Sequence, residues 1–400
     1  MFPGQGNIYV GMGKELCRQF DVARRTFEEA SDVLGMNLKE ICFFGELTEL
    51  KQTEISQPAI LTCSIAALRV LSERVDLHPH YYAGHSLGEF SALTAAGALD
   101  FADALKLVRR RGELMRDAAK GCNGVMSAVG KIPLNIILDV CQSISRQEHI
   151  VAVSNYNTPK QNVISGHADA VGEAENELVR HGAFVKRLDV SAPFHSPLMQ
   201  PAYAEFRELL ESVTFGDVSH VLSNVTAREH TPKTVVENLA KQLVSPVRWM
   251  ESMQYMESCG VQLAIDMGPK DVMKKLMLQN YRSVKALAMD IDDDREELEI
   301  LIRNDQPIPF VSRCLGLAVA ARNRCAGSAM YQSNVVRPYE SLRALAQTIE
   351  AENRQATELE MKQARELLLE IFNGKCLPEE QQDERLRRLY IDTETETLFA

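Results

Sequence analysis

The sequence predicts an α/β fold in three parts: a large α/β-hydrolase-like parallel-sheet core, a ferredoxin-like subdomain inserted into it, and a helical C-terminal extension. Three observations carry this expectation. Helical and strand-like spacings alternate from residue 57 to about 119 and again after Val221, as in a parallel α/β core. Between Gly124 and Val190 the order changes to β-α-β-β-α-β, the succession of a ferredoxin-like unit. From Asp290 onward the composition shifts, because residues 290–400 carry 22 acidic and 14 basic side chains, −8 of the chain's −11.

Taken in order, Ile60, Leu61, Ile65, Leu68 and Leu71 recur at helical spacing within residues 57–75, and the short aromatic stretch 78–83 reads as a strand ending at a glycine. Asp100 is a plausible N-cap for a helix to about Ala119, with Leu105, Val108, Gly112 and Met115 along one face. The inserted unit reads as strand 125–129, helix 134–144, strands 150–154 and 162–165, helix 168–181 and strand 184–190. Strand signals return at 221–224, 262–266 and 284–289. The acidic run at 290–294 reads as a solvated linker, and 310–321 and 342–372 as helices of an extension with a packing or docking role. The expected organisation is therefore a core of residues 1–123 and 191–290, an insertion at 124–190, and an acidic helical extension at 291–400.

Composition bounds the function. With 400 residues, 45% hydrophobic and 25% charged, the chain is long enough for a sizeable core. A net charge of −11 argues against nucleic acid, which needs basic clusters to displace counterions. No apolar run approaches the roughly 20 residues of a membrane span, and no signal sequence opens the chain, so the sequence reads as cytoplasmic with no membrane partner. Nine cysteines without a C-x-x-C pair fit neither a zinc site nor a disulfide framework and are expected to be reduced and mostly buried. No metal-ligand cluster or dinucleotide glycine fingerprint is apparent, so no metal or cofactor is expected.

Gly84-His85-Ser86-Leu87-Gly88 follows a strand-like segment and precedes an apolar helix, the context of a nucleophile elbow. The sharp turn aims the serine hydroxyl along a helix N-terminus, where free N–H groups can stabilise an oxyanion. A serine needs a base within hydrogen-bond reach. Of nine histidines, His78 and His80 precede the elbow, His85 points away from Ser86, and His149, His167, His181, His220 and His230 read as surface or capping residues. His195 differs, because Ser191-Ala192-Pro193-Phe194-His195-Ser196-Pro197 places it in a loop that prolines hold in shape.

Here the motifs converge. Phe2-Pro3-Gly4-Gln5-Gly6, Gly84-His85-Ser86-Leu87-Gly88-Glu89, Arg111-Gly112, Pro193-Phe194-His195, Ser223-Asn224-Val225, Gln242 to Val247 and Gly268-Pro269 resemble, in order and spacing, the malonyl-CoA:acyl carrier protein transacylases of fatty-acid and polyketide synthesis. The likeness covers residues 1 to about 290. It implies Ser86 as nucleophile, His195 as base, the backbone carbonyl of Gln242 as the group orienting His195, and the backbone N–H groups of Gln5 and Leu87 as the oxyanion hole. It implies Arg111 as the bidentate holder of the malonate carboxylate, while Arg109 and Arg110 read as a basic helix face on the solvent side. Phe194, before the histidine, goes with malonyl in place of methylmalonyl selectivity.

The resemblance also implies malonyl-CoA and an acyl carrier protein as partners, docking on a basic patch for which Lys160, Lys186 and Arg187 are candidates. The tail resembles extensions on discrete acyltransferases that serve polyketide synthases in trans, which makes such a synthase a partner for residues 291–400. The family carries a short apolar strand ahead of the Phe-Pro-Gly-Gln-Gly motif, whereas Met1 stands within it, so either an upstream start or a sheet lacking its first strand is expected. Three rival readings stand beside this one: a hydrolase clearing stalled acyl chains, a non-catalytic docking scaffold, and a general esterase.

Overall fold

The computed structural model describes residues 1–75, 78–190, 192–303, 308–325, 330–352 and 354–399. Ser191, which opens the predicted histidine loop, lies outside the described residues. The chain is a mixed α/β protein that divides into two compact units, residues 1–253 with 264–297 and residues 254–263 with 298–400.

The first unit opens with helices α1 (Lys14–Gln19), α2 (Asp21–Leu34), α3 (Leu38–Phe44), α4 (Leu47–Leu50) and α5 (Thr53–Arg74). By length and composition the 22-residue α5 could cross a membrane, which corrects the expectation that no run reaches that length. Its most apolar stretch is 78% buried inside the fold, so it is a core helix packed between α2 and later helices. Strand β1 is only Tyr82–Ala83, shorter than the predicted 78–83, and leads through the elbow into α6 (Gly88–Ala95). Helix α7 (Phe101–Lys120) begins where Asp100 accepts hydrogen bonds from the N–H groups of Ala102 and Asp103, at 2.8 and 3.2 Å. A Cβ on Gly112 would lie 2.6 Å from Glu54 Cα, so glycine there lets α7 approach α5 closely.

Next come β2 (Gly124–Gly130), α8 (Leu134–Ile144), β3 (Val151–Thr158), β4 (Gln161–His167), α9 (Ala168–Arg180) and β5 (Phe184–Arg187). Their sheet has the order β3-β4-β2-β5, with antiparallel neighbours. One apolar cluster joins Val129, Val153 and Ile164 from the strands to Ile137, Val140, Val171 and Leu178 from the helices.

The chain continues through α10 (Gln200–Glu211), β6 (Val221–Leu222), α11 (Val235–Lys241), α12 (Trp249–Ser258), β7 (Leu263–Asp266), α13 (Val272–Asn280) and β8 (Lys285–Ala288). Strands β1 and β6 pair in parallel, Tyr82 opposite Val221, and β7 neighbours β8. Met1 and Phe2 take the place between these pairs. The Phe2 N–H donates to the Ala83 carbonyl at 2.9 Å, the Phe2 carbonyl accepts from His85 N–H at 3.0 Å, and the Met1 carbonyl accepts from Met267 N–H at 2.9 Å.

The acidic run at 290–294 is solvated only in its middle, where Ile291, Asp292 and Asp293 are exposed, and its two ends are tied down. Asp290 accepts a 2.9 Å bond from the Tyr9 hydroxyl and a 2.6 Å bond from Lys270 N–H, and the largely buried Asp294 accepts from Lys274 Nζ at 2.6 Å and Ala288 N–H at 2.8 Å. The run opens helix α14 (Asp292–Arg303), where acidic groups suit an N-terminus.

The second unit holds α15 (Phe310–Ala320), α16 (Arg337–Ala351), α17 (Glu358–Gly374), α18 (Glu379–Asp392) and α19 (Glu396–Phe399). The predicted helix 342–372 is thus two helices, and α17 starts at a capping box formed by Thr357 and Glu360. Its core joins Phe310, Cys314, Leu317, Leu342, Leu368 and Phe372. Cys325 and Cys376 form a disulfide, against the expectation that the cysteines are all reduced.

Candidate active site

The elbow exists because small residues flank the serine. A Cβ on Gly84 would overlap Gly88, and one on Gly88 would overlap the Phe2 carbonyl, so the strand can turn into α6 only with glycine at both places. Ser86 itself adopts φ 53°, the left-handed region unusual outside glycine. Asn224 holds that conformation. Its Oδ1 accepts from Ser86 N–H at 2.6 Å while its Nδ2 donates to the Gly84 carbonyl at 2.6 Å.

His195 meets the hydroxyl from the loop after β5. Its Nε2 lies 2.7 Å from Ser86 Oγ, and its Nδ1 lies 2.7 Å from the main-chain oxygen of Gln242. A carbonyl accepts only, so Nδ1 carries the proton and Nε2 is free to take one from the serine. The loop is held by a 2.6 Å bond from Ser196 Oγ to the Pro193 carbonyl, and His195 has φ 58°. His195 is 4% exposed. Burial first, and then the charge of Arg111, bring its pKa down to about 3, against the opposing effect of hydrogen bonds to the backbone of Gln242 and Ser245. The imidazole is therefore neutral at physiological pH, as a general base must be.

Arg111 sits in the buried stripe of α7 with Ala104, Val108 and Met115, a position where an apolar residue is the norm. It is 1% exposed. Nη2 donates to Ser86 Oγ at 3.2 Å and to Gln242 Oε1 at 2.8 Å, and Nη1 donates to Gln57 Oε1 at 2.7 Å. Burial lowers its pKa to about 10, with Glu89 opposing, so it remains a cation. Arg109 and Arg110 are partly exposed and pair with Glu113, as expected of a solvent-side face.

The structure thus joins Ser86, His195, Arg111 and Gln242 by direct hydrogen bonds. Gln5 and Leu87 lie on the segments that flank the elbow: Leu87 precedes the first turn of α6, and Gln5 follows the Phe2 that pairs with Gly84 and donates from its side chain to Thr53 Oγ1 at 3.0 Å. Phe194 is buried beside the base in sequence. The candidate docking cations Lys160, Lys186 and Arg187 are all exposed, and Arg187 also pairs with Glu175 at 2.8 Å.

Four residues of the site received no role from the sequence, although Glu89 and Asn224 stand within two of the motifs quoted above. Gln57 and Asn224 are described above; the others are Glu89 and His230, both fully buried at the side chain and 2.7 Å apart. His230 is therefore no surface or capping residue. The available signal was Glu89, a lone charge in the otherwise uncharged, mostly apolar stretch Gly88–Ala95, but nothing local marks its partner.

Residues 1–315 match the family described as acyl transferase domain. A malonyl CoA-acyl carrier protein transacylase of Bacillus subtilis is 37% identical over 390 residues, 94% of this chain and 96% of its own length. Among solved structures, an acyl carrier protein S-malonyltransferase from Vibrio cholerae is 37% identical with a TM-score of 0.71, covering 74% of this chain and 98% of that one. A type II polyketide synthase acyl-carrier protein in complex with its malonyl-transacylase gives a TM-score of 0.72 at 36% identity, covering 76% of this chain and 98% of that one. The Bacillus relative matches a larger share of this chain, 94%, than either structure does, at 74% and 76%.

Proposed function

The chain belongs to the acyl transferase family, among malonyl-CoA:acyl carrier protein transacylases, and we propose that it moves malonyl from CoA to a carrier protein's phosphopantetheine thiol through an ester on Ser86. The observation that carries this reading is the shared reach of His195 Nε2 and Arg111 Nη2 to one hydroxyl, at 2.7 and 3.2 Å. A base on that oxygen makes it a nucleophile, and a guanidinium beside it selects an acyl group ending in a carboxylate.

In the first half-reaction Ser86 Oγ attacks the thioester carbonyl as its proton passes to His195 Nε2. The oxyanion forms toward the N–H groups of Gln5 and Leu87, a role supported by their positions on either flank of the elbow. Collapse breaks the C–S bond, and the imidazolium gives its proton to the CoA thiolate. In the second, His195 takes the proton of the carrier's thiol, the thiolate attacks the malonyl ester, and collapse returns the proton to Ser86. Both steps exchange an acyl group between a hydroxyl and a thiol, so neither metal nor redox cofactor enters the scheme. Phe194, buried next to the base, is assigned to exclude an α-methyl branch, a discrimination worth about 1–3 kcal/mol.

The β-α-β-β-α-β order and the strand order β3-β4-β2-β5 support a ferredoxin-like assignment of residues 124–190, within an α/β-hydrolase-like core of 1–123 and 191–290. Residues 291–400 are assigned to docking on a synthase, on the ground that they build a helical core of their own. A cytoplasmic location belongs to the same reading and is supported by the burial of α5, the one described helix apolar and long enough for a membrane. An orienting main-chain carbonyl at His195 Nδ1, with no carboxylate, disfavours a general esterase, and Arg111 aimed at Ser86 disfavours a hydrolase of neutral acyl chains.

The test is transfer in two stages. Chain loaded with malonyl-CoA and freed of CoA by gel filtration is mixed with a phosphopantetheinylated carrier protein. The expected result is a malonyl-carrier formed in one turnover; a carrier that stays unloaded while malonate is released overturns transfer in favour of hydrolysis.

A further inference from the structure

Beside the nucleophile is a buried carboxylate that the transfer steps do not use. Glu89 Oε2 accepts from Gln242 Nε2 at 2.6 Å and from Asn224 N–H at 3.1 Å, and Oε1 lies 2.7 Å from His230 Nε2. Three donors, two from the connection between β6 and α11 and one from Gln242 at the end of α11, therefore converge on one acceptor-only group. Gln242 is the link to the rest of the site: its Nε2 also donates to the Ser86 carbonyl at 3.0 Å, while its Oε1 accepts from Arg111 at 2.8 Å. The two buried opposite charges, Arg111 and Glu89, are joined through one neutral amide.

That arrangement has a chemical logic. A guanidinium bonded directly to an internal carboxylate would have to break a buried ion pair before it could take the substrate's. A buried guanidinium with no counter-charge at all would be costly to fold. An intervening amide avoids both, provided it points the right way. The carboxylate enforces this, because it can only accept and so draws the nitrogen of Gln242, turning the oxygen toward Arg111.

Resting on the assignment of Ser86, His195 and Arg111 above, we propose that Glu89, held by His230, is a positioning residue that sets malonyl preference by fixing the Gln242 amide between itself and Arg111. It touches no substrate. Its effect is on the acceptor that holds the guanidinium ready for exchange.

The experiment compares rates of Ser86 acylation by malonyl-CoA and by acetyl-CoA, which lacks the carboxylate, using intact mass on the full chain. In Glu89→Gln one of two acceptor oxygens serving three donors becomes an N–H2 group, and the malonyl-to-acetyl ratio is expected to fall about tenfold or more. His230→Leu, which leaves Oε1 without its donor, should shift the ratio the same way, and His230→Gln, which restores a donor, should return it toward the unmodified value. These two variants decide the matter should Glu89→Gln fail to fold. Malonyl and acetyl rates that fall in parallel, or an unchanged ratio, would overturn the proposal by making the network merely structural. Absence of any Ser86 adduct in the unmodified chain would instead overturn the reading beneath it.

Discussion

Arg111 Nη2 lies 3.2 Å from Ser86 Oγ, so a cation from the buried face of α7 and a hydroxyl from the elbow after β1 face one another in one site. Ser86 is 9% exposed. A small diacid can be held at one end and bonded at the other.

Arg111→Ala should remove the charge-assisted pair with the malonyl carboxylate, worth about 1.5–3 kcal/mol. The expected result is a loss of about ten- to a hundredfold in kcat/KM for malonyl-CoA, with acetyl-CoA affected far less. Steady-state kinetics on the two thioesters checks this; an equal loss on both would remove the carboxylate from Arg111's role.

The depressed pKa of His195 makes a prediction with a definite sign. The folded imidazole is neutral down to about 3, while in the unfolded chain it takes a proton near the ordinary value of about 6.5. Stability contributed by the buried neutral ring is complete above that unfolded value and is lost as pH falls toward the folded one. The acid limb of kcat/KM should accordingly lie well below 6.5, and in Arg111→Ala, which removes the second cause of the shift, it should move up. Profiles of kcat/KM against pH for acetyl transfer by the two chains test both statements.

Asn224→Ala should leave Ser86 N–H and the Gly84 carbonyl without their buried partner, at a cost of about 1–3 kcal/mol. The strained φ at Ser86 then loses its support. Acylation should slow for malonyl and acetyl alike, in contrast to Arg111→Ala, and thermal unfolding should shift down. Unchanged acylation would show that the elbow's glycines suffice.

Much of this was legible in the sequence where a local rule decides. Asp100 announces the start of α7, the glycines announce the elbow, and the prolines announce the loop of His195, because caps and turns depend on neighbours in the chain. Long-range partners were not legible. His230 reads as a capping residue, and only the fold brings it 2.7 Å from Glu89, 141 residues away. The acidic run at 290–294 reads as solvated, yet Tyr9 and Lys274 tie two of its members into the core. The pairing of Cys325 with Cys376 likewise depends on packing that spacing does not encode, whereas the start of α17 carried a local signal, the Thr357–Glu360 capping box, that the periodicity of 342–372 masked.

The central claim is tested most directly by intact-mass spectrometry after brief mixing with malonyl-CoA. The expected result is a single malonyl adduct, mapped to Ser86 by peptide fragmentation and absent from Ser86→Ala. An adduct that persists in Ser86→Ala would contradict the account.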